Sequence, residues 1–207
     1  ELPKDDARVT FICHLLHKIQ VQLNKFNKSL ATFYGDPITI FKQLLNENKI
    51  KAVYANRDYE PYTRYRDKEV HQLLASNNID FKTFKDVVIY EKDEIAKDDG
   101  SPYVVFTPYM KKWLTELKTK DIEISPSETQ PSNFTAHSYP FLTLADIGFT
   151  ASDIEPVPFD ISADLIDNYA DTRNFPSLDG TSKLGPYLRF GAVSIRLLVK
   201  KAIEARN

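Results

Sequence analysis

Between Asp5 and Tyr90 the hydrophobic period changes repeatedly, and that alternation constrains the fold more than any other feature of the 207-residue chain. Asp5 or Asp6 can cap a first helix in which Phe11, Leu15, Ile19 and Leu23 recur every four residues, with Ile12 and Leu16 alongside. "SLATFYG" (29–35) then reads as a short strand ended by Gly35. In "DPITIFKQLLNEN", Asp36 is the N-cap and Pro37 the first helical residue, and Ile38, Phe41, Leu44 and Leu45 share a face. "KAVYAN" (51–56) reads as a buried strand. Pro61 opens the next helix, and "DFKTFKDVVIY" (80–90) supplies one or two further strands. Strands and helices in this order imply βαβ units, hence an α/β, Rossmann-like parallel sheet covered on both faces.

Further along, the pattern changes twice. "SPYVVFTPYMKKWLTELKTK" (101–120) reads as an aromatic segment leading into a helix. Between Asp121 and Asp160 there are seven acidic residues, five prolines and no Lys or Arg, the composition of an interdomain connection. Phe141, Leu142, Leu144 and Phe149 imply that part of it packs against something. From about Ser162 the pattern is helical. The expected organisation is an α/β domain over 1–120, a connector over 121–160 and the start of a helical domain over 161–207.

Charge and cysteine content narrow the class. A formal net charge of −2 excludes a uniformly basic nucleic-acid binder, but Gly185–Asn207 carries five basic residues against Glu204 alone. No apolar run approaches the roughly 18–20 residues that span a bilayer, so a soluble protein without membrane contact is expected. One cysteine, Cys13, and no signal-peptide pattern point to a reducing, cytoplasmic setting. His14 and His17 lack a third ligand nearby, so no metal is expected.

Two segments carry candidate chemistry. Three of the six glycines fall in "GTSKLGPYLRFG" (180–191). Gly180 and Gly185 permit positive φ or close approach, and "TSKL" between them offers consecutive amides, two hydroxyls and an ammonium. The stretch matches neither a Walker A loop nor GxGxxG. It reads either as a phosphate cradle or as a loop that needs glycine only to turn. In "YANRDYEPYTRYRD" (54–67), Asn56 ends a parallel strand, where open α/β sheets place ligands. Its interleaved arginines and tyrosines read either as a nucleic-acid surface or as a helix start paired with Asp58, Glu60, Asp67 and Glu69. No nucleophile–base constellation is marked, so an enzyme of this sequence would rely on a bound cofactor.

"NRDYEPYTRYRD", "PYVVFTPYMKKW" and "YADTRNFPSLDGTSKLGPYLRFGAVSIR", in that order, resemble the DNA photolyase/cryptochrome family. The last is the most specific. The similarity covers the middle of such a protein, so both ends are expected to be cuts in a longer parent. The resemblance implies an α/β domain followed by a connector and a helical domain that binds FAD. It implies light-dependent repair of cyclobutane pyrimidine dimers in DNA, or, alternatively, a cryptochrome-type photoreceptor without repair. By the same resemblance, Tyr169, Thr181, Ser182, Lys183, Leu184 and Gly185 match FAD-contacting positions, and Arg173 an arginine at the DNA-facing rim. The family often adds an antenna, a folate or a deazaflavin, which these residues do not specify.

Two departures stand out. Lys183 replaces the usual Arg, keeping the charge and losing the bidentate fork, and Gly185 stands where Ser is common. The expected partner is dimer-containing DNA, with no obligate protein partner. The isolated chain is expected to hold FAD weakly and not to repair DNA, because most of the helical domain would follow Asn207. A non-enzymatic α/β interaction domain with a helical tail is the remaining reading.

Overall fold

A computed structural model of the chain describes residues 2–119, 122–124 and 129–205. Asp121, Pro126, Glu128 and Arg206, which enter the sequence reading above, lie outside them. The chain forms two compact units, one made of residues 35–123 and the other of residues 1–34 with 124–207.

The 35–123 unit is the α/β part. Helix α2 (Pro37–Glu47) starts as its sequence dictates: Asp36 accepts the Thr39 N–H at 2.8 Å, and Pro37 occupies the first turn. Strand β1 (Ala52–Asn56), helix α3 (Pro61–Ser76) and strand β2 (Asp80–Phe84) form a parallel βαβ unit, with Ala52 opposite Asp80 and Asn56 opposite Phe84. Helix α3 buries Thr63, Val70 and Leu74, and Leu74 is 0% exposed. The helix stops at Asn78, whose φ of 57° turns the chain so that Ile79 donates to the Leu74 carbonyl at 3.0 Å. Helix α4 (Phe106–Thr119) follows the aromatic segment, and its Trp113 meets Tyr90 edge-on at 5.5 Å.

One strand expectation is narrowed and another changes. The 80–90 segment holds one strand, because beyond Phe84 its side chains turn to loop partners: Lys85 pairs with Glu94 at 2.6 Å, and Asp86 accepts from Asn56 at 2.9 Å. Nor is β1 buried on both faces. Tyr54 is 64% exposed and stacks on exposed Phe84 at 6.0 Å, so alternate residues of both strands face outward.

In the other unit, helix α1 (Ala7–Asn24) is capped by Asp6, whose carboxylate accepts the Arg8 N–H at 2.8 Å and pairs with its guanidinium. The expected strand at 29–35 does not form. Its residues are fastened by side chains rather than by a backbone ladder. Ser29 Oγ donates to the His137 carbonyl at 2.8 Å and accepts the Tyr139 N–H, and Thr32 Oγ1 accepts the Leu142 N–H. The connector therefore meets hydroxyls where a neighbouring strand would offer carbonyls.

As expected, the connector packs. His17 meets Phe141 edge-on at 5.5 Å, Thr150 donates to the Lys4 carbonyl, and the Ser152 N–H donates to buried Thr10. Helices α5 (Ala163–Thr172), α6 (Gly185–Arg189) and α7 (Ile195–Glu204) complete this unit. Among the described residues no helix is long and apolar enough to cross a membrane.

Candidate cofactor segment

The site is built by α5, α6 and the loop between them. Ser162 accepts the Leu165 N–H at 3.3 Å and is itself held by Asp160, which sets the start of α5. Tyr169 lies one turn from the end of α5 and is 43% exposed. Arg173 closes the helix through its N–H to the Tyr169 carbonyl at 3.0 Å, and its guanidinium carbon lies 5.9 Å from the Tyr169 ring centroid. The structure thus brings together the tyrosine and the arginine singled out from the sequence.

The loop returns onto the same helix end. Phe175 donates to the Thr172 carbonyl and Leu178 to that of Phe175, each at 3.0 Å. Gly180 then lies against the Thr172 side chain, and a Cβ at position 180 would be 2.5 Å from Thr172 Cβ. Close approach within the chain therefore explains this glycine. Of the two uses read for Gly180 and Gly185, positive φ or close approach, neither glycine takes positive φ; the left-handed residue of the loop is Lys183, with φ 55°. Two contacts flank that conformation: Lys183 Nζ pairs with Asp179 at 2.6 Å, and the Ser182 carbonyl accepts the Asp160 N–H at 3.0 Å.

Aromatic packing fixes the far side. Tyr187 on α6 meets Phe11 at 5.4 Å and Phe159 at 4.7 Å, both edge-on, and its hydroxyl donates to the Val157 carbonyl at 3.3 Å. Phe190 also meets Phe11, at 5.7 Å. The turn after α6 closes at Gly191, φ 65°, where Ala192 donates to the Tyr187 carbonyl at 2.8 Å. Sequence reasoning missed Phe11, Phe159, Asp160, Thr172 and Asp179. The period of the first helix marks Phe11 as apolar but not what it meets, and the parts played by Phe159, Asp160 and Thr172 depend on contacts with segments beyond their own turn.

The result is a row of free donors. Among the described residues, the N–H groups of Thr181, Ser182, Lys183 and Leu184 donate to no protein acceptor, and the Thr181 and Ser182 hydroxyls make no hydrogen bond. Four successive amides and two hydroxyls, with the Lys183 ammonium held on Asp179 beside them, are donors of the kind that serve phosphate oxygens, such as those of the FAD diphosphate. Nothing fills the space beside Gly185, where a Cβ would have no neighbour within 4 Å.

Part of the second candidate segment is tied up, while Tyr62 and Tyr65 are exposed. Arg57 pairs with Glu91 at 3.3 Å and Arg66 with Asp67 at 2.7 Å, while the Tyr59 hydroxyl donates to Glu91. Burial first, then the hydrogen bond and charge of Glu91, push the Tyr59 hydroxyl up to about 12. Glu91 takes a role that sequence reasoning had given to Asp58, Glu60 and Glu69.

The fold is an α/β unit and a largely helical unit, and the latter carries a row of donors without protein partners. Comparison with known proteins makes the class specific. The DNA photolyase profile matches residues 2–131. The chain is 32% identical to a deoxyribodipyrimidine photo-lyase of Synechococcus sp., over 96% of this chain and 44% of that protein. A bacterial class III photolyase from Agrobacterium tumefaciens superposes with a TM-score of 0.75 at 22% identity, covering 97% of this chain and 45% of that one. An archaeal photolyase from Sulfolobus tokodaii with two FAD molecules superposes with a TM-score of 0.62 at 17% identity, covering 95% and 44%. The chain belongs to the DNA photolyase family. It spans about half the length of the curated relatives it matches.

Proposed function

We propose that this chain is the central part of a cytoplasmic, light-dependent DNA repair lyase acting on cyclobutane pyrimidine dimers, and that Tyr169 and Thr181–Gly185 form part of its FAD site. The observation that carries the reading is the run of unpaired amides from Thr181 to Leu184, flanked by two hydroxyls and Lys183. The name of the Synechococcus relative and the two FAD molecules of the Sulfolobus photolyase support it. In this reading, residues 161–207 begin the cofactor-binding domain.

FAD, bound and reduced, would supply the light-driven electron for splitting the dimer. The residues of this chain bind and orient. The Thr181–Leu184 amides and the two hydroxyls would hold the cofactor through hydrogen bonds to its phosphate oxygens, and Lys183 would add a positive charge there. Tyr169, on the helix that carries Thr172, would add its ring to the site. Arg173, exposed at the end of α5, meets the phosphates around a flipped lesion.

The test uses the full-length protein carrying this segment. With its flavin reduced, blue light should restore thymines in a dimer-containing oligonucleotide. Flavin bound without repair would favour the cryptochrome reading. Arg173→Ala should weaken binding to damaged DNA and leave flavin content intact; loss of flavin would refute its assigned role.

A further inference from the structure

We infer that Thr172 is a positioning residue for the cofactor segment, acting through Gly180; this rests on the reading that Thr181–Gly185 hold FAD. Thr172 is the last residue of α5, three after Tyr169 and one before Arg173. Its Oγ1 donates to the Asn168 carbonyl at 3.0 Å and reaches the Gly180 carbonyl at 3.4 Å. Its Cβ occupies the space a side chain at 180 would need, 2.5 Å from a Cβ built there. Because that contact is with a Cβ, close to the backbone, no rotamer change removes it.

Gly180 immediately precedes the free amides. The same contact therefore sets where the Thr181–Leu184 row begins relative to the Tyr169 ring. The second fastening, Asp160 N–H to the Ser182 carbonyl at 3.0 Å, lies two residues further on and leaves the start of the row to Thr172. A side chain at 180 would push that start away from the helix end. Loss of the Thr172 hydroxyl would leave the Gly180 carbonyl with one partner fewer.

Two measurements test this. One is trypsin cleavage of this chain after Lys183, which reports opening of the loop. The other is the flavin-to-protein ratio and FAD affinity of the full-length protein, followed by quenching of flavin fluorescence. Gly180→Ala should raise the cleavage rate and weaken FAD, each about tenfold, the equivalent of about 1.4 kcal/mol. Thr172→Val, which keeps the shape and loses one weak hydrogen bond, should change each about threefold. Thr172→Ser should behave as the native protein.

The deciding variant is the exchange Gly180→Ala with Thr172→Gly, which moves the missing Cβ from one side of the contact to the other. It should return both readouts to within about threefold of native, given a cost of up to about 1 kcal/mol for glycine in a helix end. Native cleavage rates in Gly180→Ala, or an exchange variant no better than Gly180→Ala alone, would overturn the inference. So would opened loops with unchanged FAD affinity. A native full-length protein without flavin would instead sink the cofactor reading, and the trypsin rates alone would then decide whether Thr172 fastens the loop.

Discussion

The Tyr187 ring meets Phe11 edge-on with centroids 5.4 Å apart, so a residue of the first helix supports the short helix that follows the cofactor segment. Phe11 is 8% exposed and also touches Phe190, while Tyr187 is wedged against Phe159. Helix α6 is only five residues long and would not persist without such packing. Phe11→Ala should cost about 3 kcal/mol in urea unfolding. It should also raise amide exchange across Gly185–Ala192 more than across α3. Equal exchange in both regions would show that Phe11 does not support α6.

Lys183 combines a left-handed backbone with an ion pair to Asp179, itself largely exposed. Exposed pairs contribute little, of order 0.5 kcal/mol, so Asp179→Asn should leave the melting temperature nearly unchanged. It should free the ammonium and strengthen FAD binding about twofold in the full-length protein at low salt, with the gain lost at high salt. Lys183→Gly should relieve backbone strain by up to about 1 kcal/mol and yet weaken FAD. A variant that binds FAD as the native protein does would remove Lys183 from the site.

Asp6 gives a pH signature to α1. Its hydrogen bonds and ion pair with Arg8 hold the carboxyl at about 2, below its ordinary value of 3.8. A depressed carboxylate favours the folded state above the unfolded-state value, and that contribution fades as pH falls from about 4 through about 2. Far-ultraviolet titration of the native chain should therefore show helix loss in that window. In Asp6→Asn the acid-dependent step assigned to α1 should shrink; an unchanged step would point to other carboxylates, such as Asp36, which is also lowered by its bonds to Thr39.

Tyr59 titrates in the opposite direction. Its hydroxyl is raised to about 12 by burial first and by Glu91 second. The neutral form is favoured on folding, so its contribution is complete below about 10 and is lost as pH rises through about 12. Absorbance at the phenolate band should show one late tyrosine, absent in Tyr59→Phe. Glu91→Gln should bring it down only part of the way, because burial remains; a return to the ordinary value would show that the carboxylate, not burial, dominates.

Several features were legible in the chain itself because their causes lie within a few residues. Asp36 before Pro37, Pro61 at the start of α3 and the period of apolar residues around Val70 and Leu74 dictate helices wherever the chain goes. The strand–helix–strand order of 52–84 likewise implied parallel pairing, and the run from Tyr169 to Gly191 marked the segment proposed to meet the cofactor. Tertiary structure decided the rest. Residues 29–34 form no ladder and are held instead by Ser29 and Thr32 hydrogen bonds to 137–142, a choice set by residues about 110 positions away. Gly180 exists to admit Thr172, Lys183 carries the left-handed turn, and Phe11 underlies Tyr187. Caps and periods act through neighbouring backbone groups and so are written locally, whereas close packing depends on which distant side chain arrives to fill the space.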